Sequence, residues 1–423
     1  MHRLAVMPSP MILRIAPALL AAAVVIPWLR QEPQAAEPQA AAATRAIVRD
    51  FSAIDSIVSD GVARGVYPGA VVVIGRRDSV LHSRGYGRLT WRESSPAPSP
   101  DSTLWDIASL TKVVGTASAA LRLVDRGELD LESPVRRYLP RFTGGRRDQV
   151  TVRMLLDHTS GLRSYDQLFK ITRDREAAIA MLLREQVKRT PGDSAVYSDF
   201  NAMLLGLVLE RASGVPLDEL VRREVTEPLA LAQTLYRPPR SMHARAAPTG
   251  VYRGTPMAGQ VNDPNAAHLG GVAGHAGLFS TGTDLARFAQ AWLAEGSTPT
   301  GRWVKPATVR RFLTFSRGSG TRLLGWDTRD TTLAENGELS VFGTLLSREA
   351  YGHTGWTGTE LWIDPVNDLF LVFLTNRSFD PRGSESIVRL REVRAALSDA
   401  TVRLIPAPCA TLAAAAPGGE LAC

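Results

Sequence analysis

Ser109 and Lys112 stand three residues apart, and a serine hydroxyl beside a lysine amine is a nucleophile beside its base. In a helical segment, positions i and i+3 lie on one face about 5–6 Å apart at Cβ, near enough for proton transfer. Lysine is scarce in this chain, with only Lys112, Lys170, Lys188 and Lys305 among 49 basic residues. With serine at 29 of 423 positions, four lysines would still meet a serine three residues upstream roughly 0.3 times by chance. The pair therefore needs company before it means chemistry. Apolar Val113, Val114 and Ala117 behind it and a helix N-terminus beside it would both disfavour the charged form of Lys112 and make it a better base.

Two further segments supply that company. Tyr197-Ser198-Asp199 follows Pro191-Gly192 and precedes a helical pattern, so a phenol is set on a turn where it can carry protons between Ser109 and a leaving group. His353-Thr354-Gly355-Trp356-Thr357-Gly358 comes just before late strand signals, with small residues where a backbone must run close to a ligand. A sheet edge with free N–H groups opposite a helix N-terminus can build an oxyanion hole. His268 and His275 lack the spacing or cysteine company of a zinc site, so no metal or cofactor is expected. No Gly-x-Ser-x-Gly elbow, phosphate loop or dinucleotide fingerprint occurs.

Taken together, these segments resemble the penicillin-recognising serine hydrolases, the family of class C β-lactamases, D-alanyl-D-alanine carboxypeptidases and related esterases. The order Ser-x-x-Lys, Tyr-Ser-Asp, His-Thr-Gly is similar to that family's three motifs. Asp157-His158-Thr159-Ser160-Gly161-Leu162, the run from Gly270 to Ser280, and Leu374-Thr375-Asn376-Arg377 look similar too, over roughly residues 45 to 400. The resemblance implies Ser109 as acylated nucleophile, Lys112 as base, Tyr197 as proton relay, and the N–H groups of Ser109 and Trp356 as oxyanion donors. It sets His353, Thr354, Gly355 and Asp199 around the substrate.

Two positions depart from the class C pattern: Asp199 replaces an asparagine, and His353 replaces a lysine. A histidine is largely neutral above about pH 6.5, so a permanent cation for a substrate carboxylate is lost and less anionic esters or amides are favoured. On this reading, His353 protonation would govern carboxylate binding. The function expected is an exported hydrolase acting through an acyl-enzyme on an ester, amide or β-lactam-type carbonyl. The alternative is a penicillin-binding sensor or cell-wall binding module with little turnover. The partner is a small-molecule or peptidoglycan-related substrate.

The elements that must position these residues are legible in outline. The composition, 44% hydrophobic and 22% charged, is that of a globular protein, and the net charge of +7 is scattered without a basic, aromatic stripe, which argues against nucleic acid. Arg3 and Arg14 precede an apolar run from Ile15 to Leu29, the layout of a secretory signal or an uncleaved membrane anchor over residues 1–30. An Ala/Pro/Gln linker over 31–44, a catalytic domain over 45–405, and a low-complexity tail over 406–423 holding Cys409 and Cys423 complete the division.

Within the domain, helical spacing marks Ile47 to Val62, Leu110 to Arg126, Val152 to Leu156, Arg175 to Gln186, Asn201 to Ala212, Leu217 to Val225 and Ser280 to Leu293, the last capped near Thr283 and Asp284. Strands are expected at Ala70 to Ile74, Val80 to Gly87, Glu360 to Ile363 and Leu369 to Thr375. Isolated hairpins are marginal in water. The early and late strands should therefore share one antiparallel sheet flanked by helices, with a helical lobe inserted between them: an α+β sandwich of the serine β-lactamase type. The Pro- and Gly-rich stretch from Arg237 to Gly271 should border the cleft.

Overall fold

Residues 69–76 read Gly-Ala-Val-Val-Val-Ile-Gly-Arg, an unbroken apolar run that suits a strand covered on both faces. The computed structural model, which describes residues 49–330, 340–380 and 386–406, makes it strand β1, Gly69–Arg76, buried along nearly its whole length. The strands that frame the site are, besides β1, β2 (Ser79–Gly87), β3 (Trp105–Asp106), β4 (Leu235–Tyr236), β5 (Leu278–Ser280), β6 (Asp327–Thr328), β7 (Tyr351–Thr354), β8 (Glu360–Asp364) and β9 (Leu369–Thr375); two short hairpins, Val251–Tyr252 with Thr255–Pro256 and Ser297–Thr298 with Gly301–Arg302, lie apart from them. Six of them form one antiparallel sheet in the order β6-β7-β8-β9-β1-β2. The seam between early and late chain is β1 against β9, with Ala70 opposite Thr375 and Gly75 opposite Phe370.

Side chains alternate across that sheet. Ala70, Val72 and Ile74 join Leu371 and Phe373 on one face, under helix α1 (Ser52–Ala63) and the C-terminal helix Ser386–Leu404, through Ile54, Val58, Leu390 and Leu397. Val71, Val73, Val372 and Leu374 point the other way, into a larger core shared with the helical lobe. Burying each of these aliphatic side chains contributes about 1.5–3 kcal/mol. The α+β sandwich with an inserted helical lobe is thus the architecture observed.

Three local differences matter for the site. The stretch expected as one helix from Leu110 is a 3₁₀ turn, Ala108–Leu110, then a wide π-helical stretch, Lys112–Ala117, and only then α2, Ser118–Asp125. The Ser118 hydroxyl donates to the Val113 carbonyl at 2.7 Å, and Thr116 donates to Gly274 O, so side chains and a neighbouring segment engage the wound backbone. Near residue 280 the chain first forms β5, and α3 (Gly282–Leu293) is capped by Thr281, whose hydroxyl accepts from Asp284 N at 3.3 Å. Asp284 does not cap because its carboxylate accepts from Gln233 N and Thr234 Oγ1. The His-Thr-Gly segment begins inside a strand: His353 and Thr354 are the last two residues of β7, and Gly355 starts the turn to β8.

The export segment, the linker, Cys409 and Cys423 lie outside the described residues, as does the start of the helix expected from Ile47. Among the described residues, no helix is long and apolar enough to cross a membrane.

Candidate active site

Ser109 sits on the 3₁₀ turn that follows β3, directly after Ala108, whose φ of 47° is a strained value for a residue with a Cβ. Buried Asp106 holds that turn: its carboxylate accepts from Ala108 N at 2.8 Å and from Asn262 N at 2.6 Å. Burial pushes the Asp106 carboxyl up to about 6 against those two hydrogen bonds.

Lys112 Nζ donates to Ser109 Oγ at 3.0 Å and to the His275 carbonyl at 3.1 Å, and lies 2.7 Å from Asp199 Oδ1. Tyr197 stands beside it, with the ammonium 4.9 Å from the centre of the Tyr197 ring. This environment reverses one expectation. Burial by itself would lower the lysine pKa, but the Asp199 carboxylate and Tyr197 outweigh it and hold Lys112 as an ammonium, above its usual range. Asp199, read from sequence among the substrate contacts, lines the cavity but spends its carboxylate on Lys112.

The helix Asp199–Ser213 carries the second segment, with Ser198 as N-cap accepting from Asn201 N at 3.3 Å. Asp157-His158-Thr159-Ser160 steers it. His158 Nδ1 accepts from Ser198 N at 3.2 Å and faces the Asn201 amide at 3.1 Å, while the two rings of His158 and Tyr197 lie 4.9 Å apart. Burial, with help from Arg322 and Lys112, holds His158 well below the usual imidazole range, so it is a neutral acceptor.

The third segment turns tightly between β7 and β8. Thr357 Oγ1 donates to Asp106 O at 2.8 Å and Thr359 Oγ1 to Ile107 O at 3.0 Å, so the turn is tied to the backbone just ahead of Ser109. Gly355 is required there: a Cβ would fall 2.2 Å from Thr359 Oγ1 and 2.7 Å from Ile107 O. Among the described residues, no group accepts from the N–H of Ser109 or of Trp356. His353 is buried, and its Nδ1 donates to the Thr354 carbonyl at 2.8 Å, leaving Nε2 as an unpaired acceptor. Burial first, then Arg322 and Lys112, depress its pKa well below the usual value. His353 is therefore neutral throughout the physiological range, and the expectation that its protonation governs carboxylate binding is overturned.

Ser109, Tyr197, Asp199 and Trp356 open together on a cavity of about 490 Å³, whose wall includes Tyr165 and Asp263. The long stretch from Arg237 to Gly271 borders it through Asn262, Asp263 and Pro264, as expected. A wider surface groove of about 620 Å³ beside Leu229, Ala291 and Pro299 holds none of the candidate residues.

Residues 54–395 match the family model described as Beta-lactamase. The chain belongs to the β-lactamase family. This β-lactamase-family chain is 31% identical over 371 residues to a putative D-alanyl-D-alanine carboxypeptidase of Escherichia coli K12, covering 79% of this chain and 84% of that protein. It is 34% identical over 365 residues to an N-acetylmuramyl-L-alanine amidase of Bacillus subtilis, covering 78% and 81%. In fold it is similar to EstCE1, a hydrolase with promiscuous acyltransferase activity, with a TM-score of 0.65, 21% identity, and 82% and 98% coverage. The enzyme is a serine hydrolase of this family.

Three residues of the hydrolase's site escape sequence reading. Asp106 carried no signal beyond its place ahead of the serine. Arg322 stacks its guanidinium 4.9 Å from the Tyr197 ring centre and pairs with Asp327 at 3.1 Å, bringing a permanent cation beside neutral His353. Arg394, from the C-terminal helix, reaches the turn after β7. Neither arginine belongs to a local motif, so no spacing could have found them.

Proposed function

We propose that this hydrolase acts through an acyl-enzyme on Ser109, cleaving an amide or ester in a small peptide-like, cell-wall-related substrate. The observation that carries the reading is the Ser109 hydroxyl 3.0 Å from a lysine ammonium, on a cavity with two unpaired backbone N–H donors. Ser109 Oγ attacks the carbonyl carbon. Tyr197 takes the serine proton while passing its own to the departing nitrogen or oxygen, and the N–H groups of Ser109 and Trp356 hold the oxyanion. Water then attacks the acyl carbon and the relay runs in reverse. Lys112, kept charged by Asp199, acts in this scheme as a fixed cation that stabilises the forming alkoxide, in place of the base expected from its sequence setting.

Arg322 supports a carboxylate-bearing leaving side, because it supplies the permanent charge that His353 lacks. Arg322→Gln should raise KM for a D-Ala-D-Ala peptide on the order of tenfold and leave a neutral nitrophenyl ester within about twofold. Equal effects on both substrates would remove Arg322 from this role. Export is proposed from the apolar run after Arg14 and from the cell-wall names of the two relatives.

The deciding experiment compares a chromogenic cephalosporin, short-chain nitrophenyl esters and a D-Ala-D-Ala peptide on one preparation, with Ser109→Ala as the blank. Loss of all turnover in Ser109→Ala is expected, and retained ester hydrolysis would end the acyl-enzyme reading. The Lys112–Asp199 pair also favours a second reading, a penicillin-binding sensor, since a lysine held as ammonium cannot activate the deacylating water. Burst kinetics separate the two: a sensor stops after one equivalent with an adduct on Ser109.

A further inference from the structure

The N–H of Trp356 and the carbonyl of Gly355 belong to one peptide unit. At the carbonyl end of that unit stands Arg394, 3% exposed, reaching in from the C-terminal helix. One nitrogen of its guanidinium, Nη2, donates to Gly355 O at 3.3 Å and to Thr359 O at 2.7 Å. These two carbonyls flank the turn, which also closes on itself through Gly355 N donating to Thr359 O at 2.7 Å. The charge is not consumed by its neighbour. Glu360 lies 3.9 Å from Arg394 Nε, and neither Glu360 oxygen nor Arg394 Nε has a hydrogen-bond partner. The guanidinium therefore puts its hydrogen bonds on backbone oxygens.

A charge-assisted hydrogen bond to an amide oxygen draws electron density from the nitrogen of the same peptide and makes its N–H a stronger donor. In a buried, low-dielectric setting that effect is larger than in water, and the bond also holds the peptide plane. We infer that Arg394 is the positioning residue of the oxyanion hole, polarising and orienting the Gly355–Trp356 peptide so that its N–H meets the developing oxyanion. Arg377 completes the frame from the other side, donating to Trp356 O and stacking 4.7 Å from the Trp356 ring centre. The inference rests on the proposed reading of the Ser109 and Trp356 N–H groups as oxyanion donors.

The test uses the full chain. Removing Arg394 alone would also take away the one charge facing buried Glu360 and change that carboxyl's titration, so Arg394→Met is made in a Glu360→Gln background and compared with Glu360→Gln. The readouts are kcat and KM on a nitrophenyl ester, inhibition by phenylboronic acid, which forms a tetrahedral anion on serine, and the thermal midpoint. The expected result is a fall in kcat on the order of 10-fold to 100-fold with KM within about twofold. Boronate affinity should weaken by the same factor, with an unchanged midpoint and partial recovery in Arg394→Lys.

Unchanged kcat and boronate affinity in the folded double variant would overturn the inference. So would a loss confined to KM. If the double variant does not fold, Arg394→Lys decides alone: its shorter side chain does not reach the position from which Nη2 bonds both carbonyls, so wild-type kcat and boronate affinity there overturn the inference and a matched loss of both supports it. Ser109→Ala separates the layers. An active Ser109→Ala refutes the acyl-enzyme reading itself, whereas an inactive one beside an unimpaired Arg394 variant refutes only this inference.

Discussion

Glu360→Gln is a direct probe of how a carboxyl is carried inside the sheet. Glu360 opens β8, is 0% exposed, and burial pushes its pKa from an ordinary 4.5 up to about 8, against the pull of Arg394. The folded state thus holds a proton that the unfolded chain releases between those values. Stability from this group is fully present below about pH 4.5 and is lost as pH rises through about 8. At about 1.36 kcal/mol per pKa unit, the difference amounts to about 5 kcal/mol. For a unit of this size, with an unfolding entropy of about 2.1 cal/mol/K per residue, that is roughly 6 °C in the thermal midpoint.

Glutamine keeps the shape of the protonated acid and cannot ionise. Wild type and Glu360→Gln should therefore have similar midpoints near pH 5, while near pH 9 the variant should be more stable by roughly the full difference. Urea unfolding at matched pH gives the same comparison as free energy. Parallel pH profiles for the two proteins would refute the reasoning, and a variant less stable near pH 9 would mean that an ionised Glu360–Arg394 pair outweighs its desolvation.

Two further outcomes concern the reacting groups. Asp199→Asn keeps a hydrogen-bond acceptor but removes the charge 2.7 Å from Lys112 that holds the lysine pKa up, so that pKa should fall. Lys112 then becomes able to act as base: the deacylation rate, read as steady-state turnover after the burst, should rise at alkaline pH, and an unchanged pH–rate profile would show that Asp199 does not set the lysine's charge. Gly355→Ala forces a Cβ to 2.2 Å from Thr359 Oγ1 and should lower kcat by on the order of 10²-fold through the lost oxyanion geometry. Wild-type turnover in that variant would show that the turn is not part of the reacting centre.

Much of the molecule could be read from short stretches because their physics is local. Unbroken apolar runs such as Ala70 to Ile74 and Leu369 to Thr375 have few alternatives to a covered strand, and a serine before an acidic, apolar helix caps it, as Ser198 does. The boundaries that were misplaced depend on distant partners. The Lys112–Ala117 stretch is wound wide where Thr116 bonds the Gly274 carbonyl, and Thr281 caps its helix because Asp284 is engaged by Gln233 and Thr234.

The types, order and spacing of Ser109, Lys112, Tyr197 and His353 were determined by sequence alone, and with them the class of chemistry, since bond-forming capacity belongs to the side chain itself. Charge state does not. Whether Lys112 is a base or an ammonium depends on Asp199, 87 positions along the chain but 2.7 Å away. His353 is neutral because it is buried near Arg322 and Lys112. Tertiary structure also decided the contributions of Asp106, Arg322 and Arg394, which stand in no motif. Burial and a charge a few ångströms away move a pKa or a hydrogen bond by several kcal/mol, and sequence separation carries no information about either.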